Sequence, residues 1–290
     1  ADCDWVAEAV VERLDVKQDL YHRLNKCCKA TAIITSNTST IPIKLLTEGM
    51  PHEFCERFAI THFFNPVRFM RLLELVRGEH TKNDVIDTLA MFSELQLGKG
   101  VVLCADTPGF LANRVGVFAI QCAIHNAFDL ELSPAEADAF FGRPLGFPKT
   151  GVFGLYDLIG IDLMADVVKS LVNILPTNDA FHRYSAPIDF MTNMVANGQT
   201  GNKNNKGFYR DDGEERQVIS LVNGDYVPYE RLRVPLLEET EQEGISTLLN
   251  DNGPFGLYAW RVLSETLCYA ASLVPEVTED LTQIDDAMKL

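Results

Sequence analysis

The 290-residue sequence lacks several features that would place it in common classes of protein. No apolar run approaches the roughly 18 residues of a membrane helix, so we expect no membrane span. Basic residues are scarce: 25 Lys and Arg against 41 Asp and Glu give a net charge of −16, which argues against nucleic-acid binding. The chain is nevertheless 47% hydrophobic and 23% charged, a composition that excludes wholesale disorder.

Cysteine patterns typical of metal sites and disulfide frameworks are also missing. The seven cysteines are an odd number, and none forms a C-x-x-C pair. His62, Glu74 and Asp106 show no ligand spacing, so we expect no metal. Free cysteines favour a reducing compartment.

The first hundred residues alternate between short apolar runs and helical patterns. The runs predict strands at 5–11, 32–35, 58–63, 72–76 and 100–104. Helices are predicted at 15–30, around 43–48, and at 83–97 behind Thr81 as a cap. This alternation predicts an α/β domain with a parallel sheet over residues 1–105.

After residue 105 the strand signal disappears and we expect an all-α domain over residues 106–211. Helical patterns run over 110–129, 163–175 and 187–197, followed by a Gly- and Asn-rich loop at 198–207. Ser133-Pro134-Ala135-Glu136 is a capping box with proline at the first helical position.

An internal repeat occurs at an offset of 147 residues. Arg114 and Arg261 begin comparable apolar helices, and Asp138 and Asp285 follow them in capped acidic segments. We interpret residues 212–290 as a partial second helical copy. Chance resemblance between two amphipathic helices is the alternative.

Polar groups stand where strands end, at the edge where doubly wound sheets bind their ligands. His62 and Glu74 lie on neighbouring strand segments, so the carboxylate could orient the imidazole and stabilise its protonated form. Asn113 opens the second domain and could close the site. Taken singly, His62 could be structural and Ser36-Asn37-Thr38-Ser39 could be only a turn.

Four motifs follow one another along the chain: S-N-T-S-x-x-P-I, H-F-F-N-P-V, L-x-E-L-V and D-T-P-G-F-x-x-N-R. Together they resemble the L-3-hydroxyacyl-CoA dehydrogenase family, and the similarity extends to about Arg210. The downstream repeat resembles the duplicated C-terminal domain of multifunctional fatty-acid oxidation enzymes, in which the dehydrogenase is fused to an enoyl-CoA hydratase.

The resemblance implies NAD-dependent oxidation of L-3-hydroxyacyl-CoA to 3-ketoacyl-CoA in β-oxidation. It makes His62 the general base and Glu74 its partner, with Ser39 and Asn113 holding the substrate. The implied NAD contacts are Glu12, Lys17, Asn37, Ser39, Asn65 and Lys203.

The same resemblance implies partners and a location. The partners are an acyl-CoA substrate, a fused or associated enoyl-CoA hydratase and thiolase, and further copies in an oligomer. The location is the cytoplasm of a bacterium, or the mitochondrion or peroxisome of a eukaryote.

One departure from the family concerns the phosphate loop. No G-x-G-x-x-G occurs in the sequence, whereas the family carries it in a first βαβ unit ahead of the strand that begins here at Asp4. We therefore expect this chain to be inactive alone and unable to bind NAD tightly without those backbone amides. The chain also starts with Ala-Asp instead of Met and stops inside a helical pattern, so we expect a fragment cut at both ends.

Two rival hypotheses stay open. One is another two-domain NAD(P) dehydrogenase, of the 6-phosphogluconate or 3-hydroxyisobutyrate type, although these use a lysine as acid and base. The other is a non-catalytic structural descendant of the fold, against which the presence of both His62 and Glu74 argues.

Overall fold

The computed structural model describes residues 2–213 and 215–290. The chain divides into two compact units, Ala1–Arg114 with Ala270–Leu290, and Val115–Tyr269. None of the helices in the described residues is both long and apolar enough to cross a membrane.

A five-stranded sheet in the order β1-β2-β3-β4-β5 forms the centre of the first unit. Its strands are β1 (Trp5–Glu8), β2 (Ile33–Ser36), β3 (Phe58–Phe63), β4 (Leu72–Arg77) and β5 (Gly100–Ala105). The connecting helices are α1 (Leu14–Cys27), α2 (Ile43–Leu46), α3 (His52–Cys55) and α4 (Asn83–Leu95). The predicted alternation of strands and helices is confirmed.

The sheet is mixed, because β3 and β4 pair antiparallel while the other three pairs are parallel. The predicted parallel sheet is confirmed at three of its four strand pairs, and β3 with β4 is the exception. Residues 64–71 between the two strands are too few for the crossover of a dozen or more residues that a parallel pair requires.

The core of the first unit lies between α4 and the sheet. Ala59 and Leu75 pack there against Val85, Ile86 and Leu89 of α4. A cluster of this kind holds the strands that carry the polar groups discussed below.

Thr81 does not cap α4, contrary to the prediction. Its hydroxyl donates to the Phe58 carbonyl at 2.6 Å and accepts from the Gly78 amide at 3.0 Å, while Lys82 is the residue that precedes the helix. The hydroxyl thus ties the turn after β4 to the start of β3.

The second unit is mainly helical. Its helices are α5 (Ala112–Asp129), which starts in the first unit, α6 (Pro134–Phe141), α7 (Val152–Ile159), α8 (Ile161–Ile174), α9 (Asp189–Ala196), α10 (Pro235–Glu243), α11 (Ile245–Leu249) and α12 (Pro254–Ser272), which ends in the first. The capping box at α6 is confirmed: Ser133 Oγ accepts from the Glu136 amide at 3.3 Å, and Glu136 accepts from the Ser133 amide at 2.9 Å.

A three-stranded antiparallel sheet follows α9, although strands were expected only before residue 105. Its strands are β6 (Tyr209–Asp211), β7 (Arg216–Ile219) and β8 (Tyr226–Pro228). The Asn223-Gly224 step between β7 and β8 is a hairpin signal in the sequence, and Gly224 takes a positive φ of 78°. Short strands of three and four residues leave a weak alternation pattern, which explains the error.

Two aspartates, half-buried Asp138 of α6 and buried Asp157 of α7, connect the helices of the second unit to this sheet. Asp138 accepts from the Phe153 and Gly154 amides at 2.7 and 3.0 Å and from the Tyr209 hydroxyl at 2.8 Å, and Asp157 accepts from the Phe208 and Tyr209 amides at 2.8 and 2.7 Å. Burial outweighs these bonds and raises the pKa of Asp138 to about 7 and that of Asp157 to about 6.

The last helix, α13 (Leu281–Lys289), belongs to the first unit and packs on β5. The Leu103 amide of β5 donates to Gln283 Oε1 at 3.0 Å, and the Ala105 amide donates to the Val277 carbonyl at 2.8 Å. This segment therefore covers an edge strand of the main sheet. Whether residues 212–290 form a second copy stays a prediction.

Candidate active site

The antiparallel register of β3 and β4 sets His62 directly opposite Glu74. Nδ1 of the imidazole lies 2.6 Å from Oε2 of the carboxylate, and the two residues are 6% and 0% exposed. With the carboxylate as acceptor, Nδ1 carries the proton and Nε2 has the free lone pair. Nε2 makes no hydrogen bond within the part of the chain that the structure describes.

The second oxygen of Glu74 is held by backbone amides. Oε1 accepts from the Leu111 amide at 3.0 Å and from the Ala112 amide at 2.7 Å, at the start of α5. Phe110 just before them has a positive φ of 48°, rare for a residue with a side chain, and this turn directs the two amides at the carboxylate. These two backbone donors fix the position of the Glu74 carboxyl group beside the imidazole.

The role of these two amides was not predicted, although the Pro-Gly-Phe motif just before them was identified. Backbone donors leave no side-chain signature in a sequence. The motif's Phe110 ring also lies 5.7 Å from the imidazole, centroid to centroid, and the Phe64 ring lies 4.5 Å from it. The His62 imidazole therefore lies against two apolar rings.

The loop after β2 carries two of the predicted residues. Asn37 uses its side-chain oxygen to accept from the Phe63 amide at 2.9 Å, so it fastens this loop to the end of β3. Ser39 is half-buried, its amide donates to Glu12 Oε1 at 3.2 Å, and its hydroxyl has no partner among the residues described. Of the two, Ser39 is the one free to contact a ligand.

Lys17 is buried rather than solvated. Its amine donates to Glu8 Oε1 at 2.8 Å and lies 3.3 Å from Glu12 Oε2, with the side chain 1% exposed. Glu12 in turn accepts from the Thr38 hydroxyl and from the Ser39 amide. The lysine is thus joined through Glu12 to the Ser39 loop.

Glu8, Tyr21 and Ser36 complete this buried network and were not predicted. Glu8 Oε2 accepts from the Tyr21 hydroxyl at 2.5 Å and the Ser36 hydroxyl at 2.7 Å. Burial opposes ionisation of Glu8, but bonds from Lys17, Tyr21 and Ser36 outweigh it and lower the pKa of Glu8. The sequence did contain a signal for this network. Glu8 ends the apolar strand β1, and Lys17 and Tyr21 lie four residues apart on α1.

Three predicted residues stand apart from these bonds. Asn113, half-buried on α5, and Asn65, exposed after β3, make no side-chain hydrogen bond in residues 2–213 and 215–290. Lys203 lies in the second unit, where its amine contacts both oxygens of Asp162 at 2.7 and 2.5 Å. No cluster of three or more potential metal ligands occurs in the described part of the chain.

Two family models match the chain. The model for the NAD binding domain of 3-hydroxyacyl-CoA dehydrogenase matches residues 1–107, and the model for its C-terminal domain matches residues 109–211. A putative fatty acid oxidation complex trifunctional enzyme of Rickettsia prowazekii is 38% identical over 293 residues, covering 100% of this chain and 40% of that protein. The chain thus spans two fifths of the length of that relative.

Solved structures agree with these matches. The (S)-3-hydroxybutyryl-CoA dehydrogenase of Ralstonia eutropha is 31% identical with a TM-score of 0.58, over 70% of this chain and 69% of that chain. The 3-hydroxybutyryl-CoA dehydrogenase of Escherichia coli K12 is 33% identical with a TM-score of 0.64, over 75% of this chain and 44% of that chain.

Proposed function

The chain belongs to the 3-hydroxyacyl-CoA dehydrogenase family, and from that premise we propose that its protein oxidises L-3-hydroxyacyl-CoA to 3-ketoacyl-CoA with NAD in fatty-acid β-oxidation. The observation that carries the proposal is the contact of 2.6 Å between His62 Nδ1 and Glu74 Oε2, with two amides on the other oxygen.

This arrangement suits the removal of a proton from a hydroxyl group. Nε2 of His62 accepts the proton of the substrate 3-hydroxyl, while C3 loses hydride and the C3–O bond becomes a carbonyl. NAD, when bound, supplies the acceptor of that hydride. Glu74, held in position by the Leu111 and Ala112 amides, stabilises the imidazolium that results.

Ser39 and Asn113 are the groups we assign to substrate positioning. Neither side chain has a hydrogen-bond partner in the described residues, and each residue directly follows one that is held by a hydrogen bond. Ser39 follows Thr38, which is bonded to Glu12, and Asn113 follows Ala112, which is bonded to Glu74. Orienting the hydroxyl and the thioester carbonyl in this way reduces the entropic part of the barrier.

The donor set also fits part of a dinucleotide. Glu12 is 39% exposed at its side chain and lies beside the Ser39 loop, so it can accept from ribose hydroxyls. Lys17 acts through Glu12, Asn37 holds the loop, and Asn65 completes the contacts that the first unit would make. A glycine-rich phosphate loop does not occur in this sequence, so these residues would hold the nucleoside end rather than the pyrophosphate.

The names of the relatives support a wider assembly. We propose that this chain is the dehydrogenase part of a multifunctional enzyme with an associated hydratase and thiolase, because trifunctional relatives match it over its whole length. The rival dehydrogenase types, which rely on a lysine, lose support because Lys17 is buried against two carboxylates.

Substitution of the base tests the proposed function. In the protein that carries this chain, His62→Gln should lower kcat by at least ~10²-fold with little change in NAD affinity. His22→Gln, an exposed histidine on α1, is the matched control and should leave kcat unchanged. A loss of activity explained entirely by weaker NAD binding would contradict the assignment of His62 as the base.

A further inference from the structure

A cavity of about 730 Å³ in the second unit has no role in the proposed reaction. It lies between α6, the turn after it, the small sheet and α10. A volume of this size is typical of small-molecule sites.

The cavity carries an excess of positive charge in a strongly acidic chain. Its cations are Arg143, Lys149, Arg216, Arg231 and Arg233. Its acids are Asp138, Glu238 and Glu241, and both oxygens of Asp138 already accept hydrogen bonds. A concave surface concentrates such an excess and attracts anions.

None of these five cations forms an ion pair or a side-chain hydrogen bond within residues 2–213 and 215–290. Acidic residues outnumber basic ones by 41 to 25 in this chain, so partners are abundant elsewhere. Arg183 and Arg261 of the same unit, for comparison, lie 2.7 and 2.6 Å from carboxylates. Five unpaired cations around one cavity repel one another unless an anion joins them.

Arg216 is held in a fixed orientation at the wall of the cavity. Its guanidinium lies 4.6 Å from the Tyr209 ring centroid and 5.0 Å from that of Tyr229, and the Tyr209 hydroxyl is anchored on Asp138 at 2.8 Å. The two rings contact the guanidinium without accepting hydrogen bonds from it in the described residues, so its N–H groups can pair with two oxygens of a phosphate.

Apolar side chains also line the cavity. Leu232, Val234 and Leu237 are among its lining residues and are each partly buried. Cations and apolar side chains in one cavity suit a ligand that carries both phosphate groups and a ring system.

We propose that this cavity binds a phosphorylated ligand of nucleotide size. Its phosphates contact Arg216, Arg231 and Arg233, and its base packs on Leu232 and Val234. The ligand is either a free nucleotide or the phosphoadenosine end of a larger cofactor, which share this chemistry. The proposal is independent of the dehydrogenase activity, because it concerns binding in the second unit alone.

Calorimetric titration of the 290-residue chain with ADP, adenosine 3′,5′-bisphosphate, inorganic diphosphate and adenosine tests it. We expect the two nucleotides to bind more tightly than diphosphate, and adenosine to show no binding. Tighter binding of the bisphosphate identifies the end of a larger cofactor, and tighter binding of ADP identifies a free nucleotide. Absence of nucleotide binding at ~1 mM, a weak limit for any specific site, would overturn the proposal.

Variants locate the site. Arg216→Gln should weaken nucleotide binding at least ~10-fold, the loss expected for one charge-assisted contact. The double variant Arg231→Gln/Arg233→Gln should do the same, and its exposed positions carry no packing that folding requires. Lys169→Gln is the control: it removes an exposed charge on α8, outside the cavity, that has no partner in the described residues. It should change the affinity for the nucleotide less than twofold, the change expected from net charge alone.

Two results contradict the location. One is nucleotide binding that both cavity variants leave unchanged, which would place the ligand at another site, such as the one proposed for NAD. The other is an equal loss in Lys169→Gln, which would show that overall charge alone attracts the ligand.

Discussion

Helices α5 and α6 can be compared with α12 and α13, which follow them at the offset of 147 residues. Arg114 and Arg261 occupy equivalent positions, and so do Asp129 and Glu276, since 129 plus 147 is 276. Each arginine bonds the acid of the other copy: Arg114 contacts Glu276 at 3.0 Å, and Arg261 contacts Asp129 at 2.6 Å. This exchange of partners supports the predicted duplication.

The two segments differ at other matched positions. Asn113, a proposed substrate contact, corresponds to Trp260, which is 56% exposed. Asp138, which accepts three hydrogen bonds, corresponds to Asp285, whose side chain is 74% exposed. The matched features form ion pairs and cap helices, whereas the hydrogen bonds of Asp138 occur only in the first segment.

The largest expected difference concerns this aspartate pair. Asp138→Ala leaves the Phe153 and Gly154 amides and the Tyr209 hydroxyl without their acceptor, so it should lower the free energy of unfolding by about 3 kcal/mol or more. Asp285→Ala is the control and should cost less than about 0.5 kcal/mol. Urea unfolding followed by circular dichroism measures both, and equal losses would mean that the two copies are used alike.

The pH dependence of the same pair sharpens the comparison. Burial raises the pKa of Asp138 to about 7, so the folded protein binds this proton more tightly than the unfolded chain does. Its contribution to stability is then greatest near and below the ordinary aspartate pKa of 3.8 and is lost as pH rises through about 7.

The stability difference between the original protein and Asp138→Ala should accordingly shrink by about 2 kcal/mol from pH 5 to pH 8. Urea midpoints at the two pH values give this difference. The corresponding difference for Asp285→Ala should stay constant, and a growing difference for Asp138→Ala would show that its carboxyl group is stabilised as the anion.

The arginine pair should show a smaller contrast. Arg114 is 1% exposed at its side chain and Arg261 is 35% exposed, although both form an ion pair with the other copy. Arg114→Gln should lower the free energy of unfolding by about 1–2 kcal/mol, because it removes a buried charge from the ion pair with Glu276. Arg261→Gln should lower the free energy of unfolding by less than about 1 kcal/mol, because that arginine is partly exposed. Thermal unfolding of both variants tests the ranking, and the reverse order would contradict it.

How far the sequence predicted these features depends on the kind of interaction. Strand β3 was predicted with its correct bounds, and the pairing of His62 with Glu74 followed from side chains that announce their chemistry. The amides of Leu111 and Ala112, the antiparallel turn after β3 and the burial of Lys17 were missed. Each of these depends on backbone direction or on which face of a helix meets the sheet, and residue types alone do not determine either.

The smallest contrast is expected at the helix caps, where the two copies agree. Ser133 caps α6 and Asp280 caps α13, and 133 plus 147 is 280. Each accepts from an amide in the first turn of its helix, the Glu136 amide at 3.3 Å and the Thr282 amide at 2.9 Å.

Replacing either cap by alanine should lower the free energy of unfolding by about 1 kcal/mol, because one amide of the first turn loses its acceptor in each case. Ser133→Ala, Asp280→Ala and the double variant are compared by urea unfolding. The two losses should be similar and should add in the double variant, since the caps share no partner. A loss at Ser133 several times that at Asp280 would mean that the copies differ in their helix ends as well as in their buried polar groups, and that the duplication preserved less than the offset suggests.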